Sequence, residues 1–269
     1  MKAAEPAGDV LAGLERVVSA LPGGGDGRSG QRRMAEAVAT AVAERRHLVV
    51  QAGTGTGKGF AYLVPALLSG SRVVVATATK ALQDQLANKD LPLVAEHLGV
   101  PVVFALLKGR SNYLCRQRAT EVAGGGEQLD LSGAADAPGE DGAALGSFGR
   151  EVRRILEWAV TAETGDRSDL PFEPRARAWG MVSVGSMECP GKTRCPAGDV
   201  CFAERARDRA AQADVIVVNT HLYATHLAAG GNVLPPHDVV IFDEAHELED
   251  VASSSLGIEI TGGRFHALA

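Results

Sequence analysis

The stretch His47-Leu-Val-Val-Gln-Ala-Gly-Thr-Gly-Thr-Gly-Lys-Gly59 decides how the rest of the chain is read. The apolar run Leu48-Val49-Val50 predicts a short strand buried on both faces. Behind it, Gly53, Gly55 and Gly57 allow backbone angles that other residues resist, so successive N–H groups can face one concavity. Phe60, Leu63, Val64, Leu67 and Leu68 recur at helical spacing and predict a helix. Its N-terminal end brings a partial positive charge to the same point. A strand, glycine turn and helix in that order suit nucleotide phosphates, with Lys58 in reach of the β- and γ-phosphates. A flexible glycine-rich linker is the bland alternative, and it explains neither the apolar run before the turn nor the amphipathic helix after it.

The candidate nucleotide-binding residues are therefore Ala52, Gly53, Thr54, Gly55, Thr56, Gly57, Lys58 and Gly59. Two of them depart from the strict pattern. Ala52 stands where the first glycine is usual. Gly59 stands where a Ser or Thr hydroxyl normally binds Mg²⁺. Water can fill that coordination position, because Mg²⁺ commonly keeps several waters. Nucleotide binding is expected to survive the change better than turnover.

Working outward, Arg72 to Thr77, Val102 to Leu107, Val215 to Asn219 and Val239 to Phe242 read as further buried strands alternating with helical patterns. That alternation predicts an α/β domain with a mainly parallel sheet. Asp243 follows its strand directly, where a carboxylate can hold Mg²⁺ on bound phosphates. Glu244 is the candidate to orient and deprotonate an attacking water. The strand before Asp243 is expected to lie beside the one before the glycine turn. His246 is a candidate coupling residue, or a plain surface histidine. Upstream, Gln31 precedes the first helix before the turn, and its amide suits an adenine edge. Thr79 and Lys80 at a strand end suit phosphate contacts, and Lys108 and Arg110 open a basic stretch reaching Arg118. These four are the candidate DNA contacts.

Hydrophobic content of 45% and charged content of 22% are those of a soluble globular chain. A net charge of −6 argues against indiscriminate nucleic-acid adhesion, so any such binding must use a local basic face. No apolar run reaches the roughly 20 residues of a membrane span, and the first residues lack a secretory hydrophobic region. A cytoplasmic protein is expected. In that reducing compartment Cys115, Cys189, Cys195 and Cys201 read as metal ligands rather than disulfides. An iron–sulfur cluster, tetrahedral zinc and inert buried thiols are all open on spacing. From Glu121 to Gly149 six acidic residues stand with no basic one among many Gly and Ala, which predicts a mobile insertion.

Taken together, Arg28 with Gln31, Ala52 to Lys58, Thr77 to Leu86, the four cysteines, Val217-Val218-Asn219 and Asp243-Glu-Ala-His246 resemble the XPD/DinG type of superfamily 2 DNA helicase. The resemblance implies a RecA-like P-loop NTPase motor domain with an inserted cysteine-rich iron–sulfur domain. The first part of the motor domain would span 1–108 and the insertion 109–212. Residues 213–269 would hold the rest, with the DEAH box and the start of an arch insertion. It further implies ATP and Mg²⁺, with Arg28 added to the nucleotide site and a [4Fe–4S] cluster on the four cysteines. The implied activity is ATP-driven 5′→3′ movement of a monomer on single-stranded or forked DNA, in repair or replication. Relatives carry a second motor domain, required for activity, that this sequence lacks. The chain alone is thus expected to bind nucleotide, to hydrolyse ATP very slowly and not to unwind. The alternative is a nucleotide- and single-strand-binding module without turnover.

Overall fold

A computed structural model describes residues 7–21, 29–53, 55–124 and 140–256. Within them, two compact units form, one from residues 1–107 with 209–269 and the other from 108–208.

The first unit is built on the most β-branched runs of the sequence. Val73–Thr77 (β1) and Val215–Asn219 (β3) form the centre of a four-stranded parallel sheet, with Phe104–Leu106 (β2) beyond β3 and Val239–Phe242 (β4) beyond β1. Register runs Val73↔Val215 to Thr77↔Asn219 on one side of β1 and Val73↔Val239 to Ala76↔Phe242 on the other. Every residue of β1 is buried, whereas the edge strands β2 and β4 are half-buried throughout. Continuous Val and Ile without polar alternation is what a parallel strand covered on both faces requires.

Ala7–Ser19 (α1), Ser29–Glu44 (α2), Lys58–Leu68 (α3) and Leu91–Leu98 (α5) share one core with the sheet. Leu14, Val17, Leu63, Val64, Leu91 and Val94 are fully enclosed there. A Cβ on Gly13 would stand 2.9 Å from Leu98 and 3.4 Å from Val64, so the glycine is what lets α1 sit so close to α3 and α5. Between β1 and α5, Lys80–Gln85 (α4) continues through one π-helical turn, Leu86–Asp90.

Two expectations for this unit are corrected. Leu48, Val49 and Val50 form no strand, and Val49 is 95% exposed. They do not lie beside β4 either, because β4 pairs with β1 and its outer edge pairs with no strand among the described residues. A strand buried on both faces needs a hydrogen-bonded neighbour, and the apolar pattern of the run records a preference for burial without supplying one. The strand expected from Val102 to Leu107 is shorter, Phe104–Leu106.

Residues 108–208 connect β2 to its neighbour β3 and form the second unit. Its core gathers Val152 and Ile155 from Glu140–Thr161 (α7) and Ala178, Trp179 and Val182 from Ala176–Val182 (α8). Leu114 and Phe202 are buried in the same unit. The indole of Trp179 donates to the Ser111 carbonyl at 2.7 Å, which satisfies the one polar atom of a buried ring. Arg116–Gly124 (α6) precedes α7, and Phe202–Gln212 (α9) leads back to β3. The stretch expected to be a mobile acidic insertion is helical up to Gly124 and again from Glu140, and 125–139 lie outside the described residues. No helix among the described residues is long and apolar enough to cross a membrane.

Candidate functional site

Parallel strands deliver the chemistry to one end of the sheet. β1 ends at Thr77 and β4 at Phe242, and the Asp243 N–H donates to the Ala76 carbonyl at 2.9 Å, carrying the ladder one residue further. Asp243 is thus fixed at the carboxyl end of the strands, where open α/β sheets bind ligands. Lys58, the first residue of α3, reaches it from the helix start: its ammonium is paired with the Glu244 carboxylate and lies 3.7 Å from Asp243 Oδ1.

The hydrogen bond that the ammonium donates to Glu244 raises the Lys58 pKa above its ordinary value; burial opposes this and the charge of Asp243 adds to it. The ammonium therefore stays charged at neutral pH. Glu244 itself is held in the left-handed region at φ 58 and ψ 47, rare for a side chain of its size. Its N–H donates to Asp243 Oδ1 at 3.1 Å. His246 Nδ1 lies 3.4 Å from Glu244 Oε2, on a largely exposed ring. The structure so brings Lys58, Asp243, Glu244 and His246 together.

The glycine turn is shaped to receive an anion. Gly57 has φ 74 and ψ 29, and no side chain among the described residues caps α3, so no capping group there meets the partial positive charge of the helix start. Thr56 closes the turn by donating its hydroxyl to the Gly53 carbonyl at 2.8 Å. Ala52, Gly55 and Gly59 belong to the same segment, and Thr54 and Arg28 lie outside the described residues. Gln31 differs from its expected role. Its side chain is buried and its amide nitrogen donates to the Gly57 carbonyl at 3.0 Å. That donor is committed to the loop rather than open to a base.

Thr79 caps α4, accepting from the Leu82 N–H at 3.2 Å, and Lys80 beside it is exposed at the same end of the sheet as Asp243. Lys108 and Arg110 are corrections to the expected DNA contacts. Lys108 is buried and its ammonium lies 2.7 Å from Asp166 Oδ2 and 2.5 Å from Ser168 Oγ. Arg110 is paired with Glu204 at 2.5 Å, its side chain only 9% exposed. Both charges are spent inside the second unit, where leaving them unpaired would cost several kcal/mol, on the order of 3–5.

Sequence reasoning missed Tyr62. It sits in the buried run of α3, and its hydroxyl donates to Asp243 Oδ2 at 3.2 Å. A lone hydroxyl in Ala61-Tyr-Leu-Val-Pro-Ala-Leu67 was the available signal.

In the second unit all four cysteines line one cavity, with Arg110, Arg116, Lys192 and Glu204 also in its wall. The Leu114 and Cys115 N–H groups bond to Gly165 and Val182, which pins the first cysteine to the unit's core. Burial pushes the Cys115 thiol above its usual range. Arg116 stacks 4.2 Å over the Phe202 ring, and Arg110 Nη1 and Arg116 Nε are buried with no hydrogen-bond partner. No three His, Cys, Asp or Glu side chains among the described residues are gathered closely enough to hold a single metal ion.

Comparison with known proteins adds the following. The family model described as DEAD/DEAH box helicase matches residues 30–123, and the one described as DEAD_2 matches residues 192–264. The chain is 45% identical over 259 residues to the ATP-dependent helicase DinG of Mycobacterium tuberculosis, covering 92% of this chain and 38% of that protein. It is 39% identical over 247 residues to the ATP-dependent DNA helicase YoaA of Escherichia coli, covering 90% and 36%. It is 31% identical over 260 residues to a Bacillus subtilis protein named 3′-5′ exonuclease DinG, covering 95% and 26%. The chain therefore spans 38%, 36% and 26% of the length of these three relatives.

Proposed function

Because this chain belongs to the DinG/XPD type of DEAD/DEAH box helicase, we propose that it carries the ATP-binding and cysteine-rich part of a cytoplasmic ATP-dependent DNA helicase. The motor domain is then of the RecA-like kind, and the whole protein moves 5′→3′ on single-stranded DNA. The observation that carries this reading is the meeting of Lys58 with Asp243 and Glu244 across the end of the sheet.

In the structure Glu244 neutralises Lys58. An incoming triphosphate, far more anionic than one carboxylate, takes the ammonium and the first N–H groups of α3. Glu244 is thereby released beside Asp243, free to accept a proton from the water that attacks the γ-phosphorus as its bond to the bridging oxygen breaks. Asp243 would hold Mg²⁺, which neutralises charge on the phosphates. Gly59 favours one second reading, a nucleotide- and single-strand-binding module without turnover, because no hydroxyl stands at that position. Titration with ADP in Mg²⁺ and with fluorescent single-stranded DNA tests the proposal. Saturable binding of both, the second falling steeply with salt, is expected; binding of neither overturns it.

The four cysteines fit a cofactor of the iron–sulfur class. They share one wall, and two buried arginine N–H groups there lack an acceptor, as a bound anion would supply. Tetrahedral zinc on the same four thiolates is the alternative, with bonds of about 2.3 Å. A cluster, which supplies one-electron chemistry, holds its ligands farther apart. Iron and sulfide with absorption near about 400 nm in anaerobically purified protein are expected, and zinc without iron would end this assignment.

A further inference from the structure

Asp243 must present its carboxylate in a fixed orientation if it is to hold a cation, and the loop that faces it lacks the usual means of help. Gly59 has no hydroxyl, and a Cβ built there meets nothing within 4 Å, so no other side chain among the described residues occupies that space. One turn along α3 the Tyr62 hydroxyl donates to Asp243 Oδ2 at 3.2 Å, while the Glu244 N–H donates to Oδ1 at 3.1 Å. Both carboxylate oxygens are therefore held, and the Tyr62 ring that carries one donor is only 3% exposed. When phosphates draw Lys58 away, these two donors are what remains on Asp243 in the structure.

We propose that Tyr62 is the positioning residue for Asp243, its buried hydroxyl fixing the carboxylate for a divalent cation in a loop with glycine at position 59. The inference rests on the nucleotide-site reading. A phenol ionises only near about pH 10, so at neutral pH the hydroxyl is a donor.

The test uses the 269-residue chain, a fluorescent ADP analogue, and Mn²⁺ as a paramagnetic probe. Tyr62→Phe is expected to weaken Mn²⁺ binding in the ADP complex about tenfold, in line with loss of a hydrogen bond to a charged group, while metal-free ADP affinity changes less than about twofold. Gly59→Ser in the Tyr62→Phe background is expected to restore most of the loss. Equal weakening with and without metal, or no rescue by Gly59→Ser, would mean Tyr62 only packs and would overturn the proposal. Asp243→Asn separates the two levels. If it leaves Mn²⁺ binding unchanged, the site reading fails; if it abolishes Mn²⁺ binding while Tyr62→Phe does nothing, only the present inference fails. Should Tyr62→Phe fold poorly, Gly59→Ser in the otherwise native chain decides. A gain in Mn²⁺ affinity below about twofold fits an Asp243 already held, and a gain near tenfold contradicts it.

Discussion

Replacing Gly57 by alanine tests how the glycine turn is built, because two separable costs meet at that residue. The first is conformational. At φ 74 an L-residue with a Cβ loses on the order of 1 kcal/mol. The second is steric and specific. The new Cβ would stand 2.3 Å from Gln31 Nε2, the atom that donates to the Gly57 carbonyl. Gln31 must move, its hydrogen bond is lost, and a buried amide is left without its partner, which adds about 1–3 kcal/mol. Gly57→Ala is thus expected to destabilise the first unit by about 2–4 kcal/mol. In a Gln31→Ala background the clash is gone, and the Gly57 carbonyl still accepts from the Ala61 N–H at 3.3 Å. There the same substitution should cost only the conformational part, about 1 kcal/mol, giving a coupling of roughly 1–3 kcal/mol between the two positions. Urea unfolding followed by circular dichroism measures the cycle. Both tryptophans, Trp158 and Trp179, lie in residues 108–208, so their fluorescence monitors the other unit as an internal control. Additivity within about 0.5 kcal/mol would refute the claim that Gln31 holds the turn.

Glu244→Gln removes the anion that competes with phosphate for Lys58, so ADP should bind a few-fold tighter while ATP hydrolysis falls about 10²- to 10⁴-fold; calorimetry showing weaker ADP binding would contradict this. Lys108→Met leaves Asp166 buried without its cation and should destabilise the second unit by about 3–5 kcal/mol in tryptophan-monitored unfolding. A loss of DNA affinity with unchanged stability would instead return Lys108 to the DNA path. His226 is buried in Thr220–Ala228 (α10), accepts from the Leu234 N–H at 3.0 Å through Nδ1, and has its pKa lowered from 6.5 by burial and then by His237. A base held neutral binds fewer protons folded than unfolded, so stability should be intact above pH 6.5 and decline as pH falls from there toward the lowered folded value. Melting temperatures at pH 7.5 and 5.5 should show this drop in the native chain and a smaller one in His226→Gln.

Much of the fold was legible because parallel-sheet strands announce themselves by continuous β-branched runs. Val73–Thr77 and Val215–Asn219 need burial on both faces and found it at the centre of the sheet. Leu48-Val49-Val50 carries the same signal and lies exposed, because a hydrogen-bonding neighbour is a property of another part of a chain and leaves no mark on the run itself. Asp243 and Glu244 were readable from their place after an apolar strand. Tyr62 was not, since an aromatic residue on a buried helix face reads as packing and its hydroxyl's target is set only by tertiary structure. Lys108 and Arg110 show the converse. A basic stretch on paper looks solvated, and only the fold reveals Asp166 and Glu204 opposite them. Cys115, far in sequence from the other three cysteines, shares their cavity because its backbone is tied to Val182, shortly before Cys189 in the chain.

The most direct measurement is a calorimetric titration of the 269-residue chain and its Lys58→Ala variant with ADP in the presence of Mg²⁺. The account expects one saturable site per chain, weakened about 10- to 100-fold by the substitution, as removal of a charged donor to phosphate requires. Equal affinity in the two proteins would show that the ammonium paired with Glu244 does not face a nucleotide, and the site would have to be sought elsewhere.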